Sequence, residues 1–111
     1  MITTQKTCSA SEAVIAALRP YVELLTVGSA TCGKPVGGRV RSFRDQSYYV
    51  ISFQAALPGE VAYFHGLAAD CPAEDDLRHD LGDPEESSLK VALQALRDGG
   101  CSGTAAVVAS H

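Results

Sequence analysis

The stretch between Thr7 and Lys34 constrains most strongly how this chain can fold. It begins with T-C-S-A-S-E and ends with G-S-A-T-C-G-K-P. Between these motifs, one apolar segment predicts a helix over 10–18, and a second predicts a buried strand over 22–27. A helix followed by a returning strand can bring the two ends of such a stretch together, which would place Ser9 near Lys34. A hydroxyl beside a lysine is one of the nucleophile and base pairings of serine hydrolases.

Ser9 also has a purely structural interpretation. Residues 9–12 match the S-x-x-E capping box, in which the Ser9 hydroxyl accepts from the Glu12 amide and the Glu12 carboxylate accepts from the Ser9 amide. Such a cap stabilises a helix by about 1 kcal/mol and explains both residues without any chemistry. The two roles are compatible, because the free amides of a helix N-terminus suit an oxyanion as well as a cap.

Lys34 has a competing interpretation as part of a phosphate-binding loop. Residues 28–34 fit the pattern G-x-x-x-x-G-K. That motif next requires Ser or Thr to hold magnesium, and then a helix whose amides face the phosphate. Pro35 occupies the hydroxyl position, and Gly37 and Gly38 further oppose a helix. The sequence therefore argues against nucleotide binding and implies no cofactor.

Residues 36–54 change to a strand-forming pattern. Residues 40–44 and 47–53 predict two strands joined by a turn at Asp45-Gln46, which together make a hairpin that could flank the site. Three arginines form a small basic group on this hairpin: Arg39, Arg41 and Arg44. They could bind a substrate carboxylate, and a solvated strand face is the alternative.

A second helix is predicted over 84–97. Asp83 is placed to act as its N-cap, Pro84 suits its first turn, and Gly99-Gly100 ends it. The pattern alone therefore supports an α/β or α+β fold with two helices and about three strands.

Composition narrows the function classes. A chain of 111 residues makes one domain at most. The net charge is −4 without a basic cluster, which argues against nucleic-acid binding. No apolar run approaches the ~20 residues needed to span a membrane.

The cysteines bear on the cellular compartment. There are four of them, which allows three pairings: Cys8, Cys32, Cys71 and Cys101. Disulfides would indicate an oxidising compartment, and four free thiols in a cytosolic protein are the alternative. No metal site is predicted, because C-x-x-C is absent and neither His65 nor His79 stands at ligand spacing. The acidic run at 74–76 lacks the spacing of a calcium loop.

These motifs resemble the carboxyl-terminal processing, or tail-specific, peptidases, in particular their cysteine-bearing bacterial members. The resemblance starts from T-C-S-A-S-E at 7–12 and T-C-G-K-P at 31–35, and it covers about residues 4–101. Within that range it continues through Y-F-H-G-L at 63–67 and L-G-D-P-E at 81–85. It implies an α/β fold of the ClpP/crotonase-like kind, with a mixed sheet and flanking helices.

The resemblance also implies a serine endopeptidase that cleaves proteins near their C-termini. Ser9 would be the nucleophile, Lys34 the general base, and the Ala10 amide an oxyanion donor, with Glu12 as a supporting cap. If Ser9 and Lys34 meet, Cys8 and Cys32 are neighbours, so the preferred pairing is Cys8 with Cys32 and Cys71 with Cys101. A bacterial periplasmic or secreted location and unfolded or tail-exposed protein substrates follow from the same resemblance.

This chain departs from the family in two respects. Gly38 stands where many members carry a glutamine that orients the lysine. The long upstream part of the family enzymes, with its PDZ domain and Gly-rich oxyanion loop, does not precede Ser9 here. We therefore expect residues 1–101 to be the second half of a catalytic domain, inactive alone, with residues 102–111 as a mobile tail. The alternative is a non-catalytic, disulfide-linked module that binds a partner or self-associates.

Overall fold

The computed structural model describes residues 1–56 and 62–101, so the tail expected at 102–111 lies outside the described residues. It contains two helices and five strands, and parallel as well as antiparallel pairing is present, which confirms the α/β class. In chain order the elements are β1 (Ile2–Thr3), α1 (Ala10–Leu18), β2 (Val27–Gly28), β3 (Val36–Phe43), β4 (Gln46–Gln54), β5 (Cys71–Pro72) and α2 (Ser87–Asp98).

Three very short strands form a parallel sheet in the order β1-β2-β5. Val27 pairs with Ile2 on one side and with Cys71 on the other. The prediction of a strand over 22–27 is therefore wrong except at its last residue. A strand is defined by its hydrogen-bonded ladder to a neighbouring strand. Both partners of β2 are only two residues long, so the ladder does not extend to the apolar residues before Val27.

The antiparallel strands β3 and β4 form a separate two-stranded sheet rather than joining the parallel one. The predicted hairpin is confirmed, but β3 begins at Val36, and the turn is Arg44-Asp45, one residue earlier than expected. Arg44 adopts φ 54°, the left-handed conformation that tight two-residue hairpin turns require. Neither helix and no other strand of the described residues packs against this hairpin.

Helix α1 has the predicted bounds, whereas helix α2 begins later than predicted. α1 spans the predicted residues 10–18. α2 begins at Ser87, three residues later than predicted, because the Glu86 carboxylate accepts hydrogen bonds from the Ser88 and Leu89 amides and caps the helix there. Asp83 instead accepts from the Glu85 amide in the preceding turn. Gly99 ends α2 with φ 71°, as predicted.

The apolar core is divided into two small clusters. Ile15 and Ala16 of α1 pack against Tyr63 and Leu67, whereas Val27 and Cys71 of the parallel sheet pack against α2. In the part of the chain that the structure describes, no helix has the length and apolar character needed to cross a membrane.

The structure contains two disulfides, and both join the cysteines that were expected to pair. Cys8 is bonded to Cys32 across a Cα–Cα distance of 5.3 Å, and Cys71 to Cys101 across 5.4 Å. Such bonds persist in oxidising compartments and are rare in the cytosol. They therefore indicate an extracytoplasmic environment.

Candidate active site

Ser9 lies at the N-cap of α1 in an unusual backbone conformation. Its φ is 52° and its ψ is −110°, one of only two positive φ values among the described residues other than glycine. Backbone strain of this kind costs about 1–3 kcal/mol and is concentrated at functional sites. A serine on a sharp turn at the start of a helix is also the arrangement that exposes the nucleophile in α/β-hydrolases. The conformation of Ser9 therefore favours a chemical role beyond that of a cap.

The capping box predicted at Ser9 and Glu12 is present. The Ser9 amide donates to Oε2 of Glu12 at 2.9 Å. The Ser9 hydroxyl contacts the Glu12 amide without making a cap hydrogen bond to it. The hydrogen bond of the cap is therefore the one to the Glu12 carboxylate.

Glu12 is completely buried and accepts four hydrogen bonds, more than a helix cap requires. Its Oε2 receives the amides of Ser9 and Lys34, both at 2.9 Å. Its Oε1 receives the Gly33 amide at 2.7 Å and the Thr31 hydroxyl at 2.5 Å. Burial alone would raise the pKa of the Glu12 carboxyl, but these hydrogen bonds outweigh it and hold the pKa below its usual value.

The network brings the main chains at Ser9 and Lys34 together, as expected. Because their two amide nitrogens bind the same carboxylate oxygen, they lie no farther apart than twice 2.9 Å. The adjacent Cys8–Cys32 disulfide and the hydrogen bond from the Cys32 amide to the Thr7 carbonyl join the same two segments. Within the described residues Glu12 forms no ion pair with the Lys34 ammonium.

The loop that carries Lys34 is packed tightly against residues 64–67. Thr31 accepts the Leu67 amide at 2.7 Å with the same hydroxyl that donates to Glu12. A Cβ atom on Gly33 would lie 2.3 Å from the Phe64 carbonyl oxygen, and one on Gly66 would lie 2.1 Å from the Thr31 carbonyl oxygen. Both glycines have positive φ, so the approach of these two segments requires glycine at each position.

Ala10 occupies the first position of α1, next to Ser9. Among the described residues its amide has no hydrogen-bond partner, as expected for one of the free donors at a helix N-terminus. It is therefore a free backbone donor directly beside Ser9.

Gly38 stands where many of the tail-specific peptidases carry a glutamine, and the structure leaves no room for a side chain there. The Gly38 amide donates to the Tyr49 hydroxyl at 2.9 Å, and a Cβ atom on Gly38 would lie 2.3 Å from the Val50 carbonyl oxygen. No side chain fits at residue 38 in this hairpin.

Two other groups that the sequence singles out are the hairpin arginines and the acidic run at 74–76. The arginines at 39, 41 and 44 are exposed along the hairpin, where Arg44 stacks on the Phe43 ring at 5.2 Å. Asp76, in the acidic run, is buried and accepts from Arg78 and His79 at 3.0 and 2.8 Å. The Arg78 hydrogen bonds are the main reason that the pKa of Asp76 falls far below its usual value. No metal-ligand group occurs in residues 1–56 and 62–101.

Sequence reasoning missed the extent of the Glu12 network and the role of Thr31. The S-x-x-E pattern predicts only the bond to Ser9. The other three donors come from residues 31–34 and depend on how that loop folds back onto α1.

Comparison with solved structures identifies a fold of the same kind. The chain superposes on a candidate S41 protease from Bacteroides fragilis with a TM-score of 0.71 and 23% sequence identity over 88% of its own length. It spans only 27% of that protein's chain. No model of a known protein family matches this sequence, and no curated protein does. At this identity, the similarity establishes a shared fold, that of part of an S41-type protease.

Proposed function

We propose that this chain is the second half of the catalytic domain of a serine-type endopeptidase with a Ser9–Lys34 dyad. The observation that carries the proposal is that one oxygen of Glu12 binds the amides of both residues at 2.9 Å. The strained backbone at Ser9 and the fold shared with a candidate S41 protease support it.

In the proposed reaction, the neutral Lys34 amine removes the proton of the Ser9 hydroxyl as the Ser9 oxygen attacks a peptide carbonyl carbon. The negative charge that develops on the carbonyl oxygen is stabilised by the Ala10 amide. When the C–N bond breaks, Lys34 gives its proton to the leaving amine, and an acyl-enzyme ester remains on Ser9. Water, deprotonated by Lys34, then hydrolyses the ester and restores the hydroxyl.

This site needs groups from outside the chain. Ala10 is one oxyanion donor where two are usual, and residue 38 holds no side chain that could orient Lys34. We assign both missing groups to an upstream half of the same catalytic domain and infer that the 111-residue chain is inactive alone. The substrates would be unfolded or tail-exposed proteins cleaved near their C-termini. The two disulfides support a periplasmic or secreted location in a bacterium.

A non-catalytic, self-associating module is the second candidate. The exposed apolar hairpin favours it, because such surfaces mark interaction sites.

The test is cleavage of an unfolded protein that ends in an apolar tail. It compares the 111-residue chain, the same chain with its native upstream sequence restored, and Ser9→Ala and Lys34→Ala in the restored protein. Ser11→Ala is the matched control, since Ser11 is an exposed serine of the same helix. We expect cleavage only by the restored protein, unchanged in Ser11→Ala and at least about a thousandfold lower in the other two variants. If cleavage survives both Ser9→Ala and Lys34→Ala, Ser9 acts only as a helix cap and the proposed dyad is wrong.

A further inference from the structure

The β3/β4 hairpin is apolar on its surface and uncovered. On the face that carries Arg39 and Arg41, its large apolar side chains are about half to two-thirds exposed, with Phe43 at 65%, Tyr48 at 51% and Val50 at 48%. A two-stranded hairpin alone is marginally stable in water. The radius of gyration of 17.1 Å, against about 13 Å for a compact domain of this size, agrees with a projecting element. The hairpin therefore has the properties of a docking surface.

The charges on the hairpin limit what can dock there. It carries Arg39, Arg41 and Arg44 against a single acid, Asp45, while the whole chain has a net charge of −4. The excess negative charge thus lies outside the hairpin. Tyr and Arg are also the side chains most enriched in the energetically important centres of protein interfaces. A partner for this surface must be acidic and must itself present apolar side chains.

The loop of residues 74–81 has this complementary character. Glu74, Asp75 and Asp80 are exposed on it, and Leu77 and Leu81 are exposed at 89% and 104%. Asp76, which is buried in the loop, pairs with Arg78, the exposed cation of the loop, and also accepts from His79. Two fully exposed leucines beside three carboxylates make a second uncovered surface, opposite in charge to the first.

We propose that the hairpin of one chain docks on the 74–81 loop of a second copy of the same chain. In a two-fold dimer this contact occurs twice, because each copy contributes both surfaces. Phe43, Tyr48 and Val50 cover Leu77 and Leu81, and Arg39 and Arg41, on the same face of the hairpin, meet Glu74, Asp75 and Asp80. The apolar contact supplies affinity, and the charges set orientation and association rate. This inference does not rest on peptidase activity.

The test is a charge exchange in the full 111-residue chain, followed by sedimentation equilibrium at low and high salt. One variant reverses the hairpin (Arg39→Glu, Arg41→Glu), and another reverses the loop (Glu74→Lys, Asp75→Lys, Asp80→Lys). We expect a dimer for the native chain that weakens as salt rises, and a dissociation constant raised at least about tenfold in each variant. Mixing the two variants, or combining all five substitutions in one chain, restores the dimer because both contacts regain opposite charges.

Controls separate this result from misfolding. Lys6→Glu with Arg97→Glu changes the net charge as much as the hairpin variant and should leave the dimer intact. Circular dichroism and the mass of the oxidised chain show whether each variant folds with both disulfides. A native chain that is monomeric at millimolar concentration overturns the proposal, as does a dimer insensitive to both reversals or reversals that do not rescue each other. If the hairpin amides are protected from hydrogen exchange only in a chain with its upstream sequence restored, the surface belongs to that sequence. This result would also overturn the proposal.

Discussion

The buried carboxylate of Glu12 accepts the backbone amide of Lys34 at 2.9 Å, although the two residues are 22 positions apart in the chain. Through this bond, a helix-capping residue positions the loop that carries the proposed base. The Ser9 amide shares the same oxygen. A single side chain therefore couples the backbone of the proposed nucleophile to that of the proposed base.

The first prediction concerns the strength of this coupling. In Glu12→Gln the amide group can no longer accept from all four donors, so at least one buried donor is left without a partner. We expect the free energy of unfolding to fall by about 2–3 kcal/mol, the range for hydrogen bonds to a charged group. Urea denaturation measures it, with the exposed Glu23→Gln as control, which should stay within about 0.5 kcal/mol. Equal effects of the two substitutions would contradict the network.

The second prediction is the pH dependence that Glu12 confers. Its pKa is lower in the folded chain than the ordinary value of 4.5, so between the two values the unfolded state binds more protons. The stabilisation is complete above about pH 4.5 and is lost as pH falls towards the folded pKa. The melting temperature of the native chain should therefore drop more steeply below pH 4.5 than that of Glu12→Gln. Parallel curves would show that Glu12 has no such role.

The third prediction separates backbone strain at Ser9 from its hydroxyl. Ser9→Gly and Ser9→Ala both remove the hydroxyl, but only glycine adopts φ 52° without a steric penalty. We expect Ser9→Gly to be more stable than Ser9→Ala by about 1 kcal/mol in urea denaturation. The same pair of substitutions at Ser11, where the backbone is helical, should give the opposite order.

The fourth prediction compares the two disulfides. They close segments of similar length, with sequence separations of 24 and 30, so removing either pair by double Cys→Ser substitution should cost about 3 kcal/mol. Only the variant lacking Cys8 and Cys32 should also lower cleavage by a restored peptidase. If the variant lacking Cys71 and Cys101 lowered cleavage as much, the loss would reflect general destabilisation.

The fifth prediction concerns Gly38, which stands where many tail-specific peptidases carry a glutamine. Gly38→Gln should not supply a lysine-orienting group, because its Cβ would collide with the Val50 carbonyl. We expect faster amide hydrogen exchange in β3 and β4, from an overpacking cost of about 1–3 kcal/mol. Gly100→Ala is the control, since a Cβ there meets nothing within 4 Å. Unchanged exchange in Gly38→Gln would show that the hairpin can accommodate a side chain at residue 38.

Features that depend on neighbouring residues could be read directly from the sequence. Helix α1 and its cap at Ser9, the end of α2 at Gly99, and the hairpin follow from local periodicity, capping and turn preferences. Both disulfide pairings also agree with expectation, because placing Ser9 near Lys34 makes Cys8 and Cys32 neighbours and leaves Cys71 to pair with Cys101.

Features that depend on distant segments needed the folded chain. The strand expected over 22–27 shortens to β2 because its partners on either side are only two residues long. The start of α2 at Ser87 is a local exception, because Asp83 and Glu86 can both cap and only the structure shows that Glu86 does. The buried position of Glu12 is set by residues 31–34, whose amides reach it only after the loop has closed. Helix periodicity and capping act over a few residues, whereas burial and the partners of a buried charge arise only when remote segments pack together.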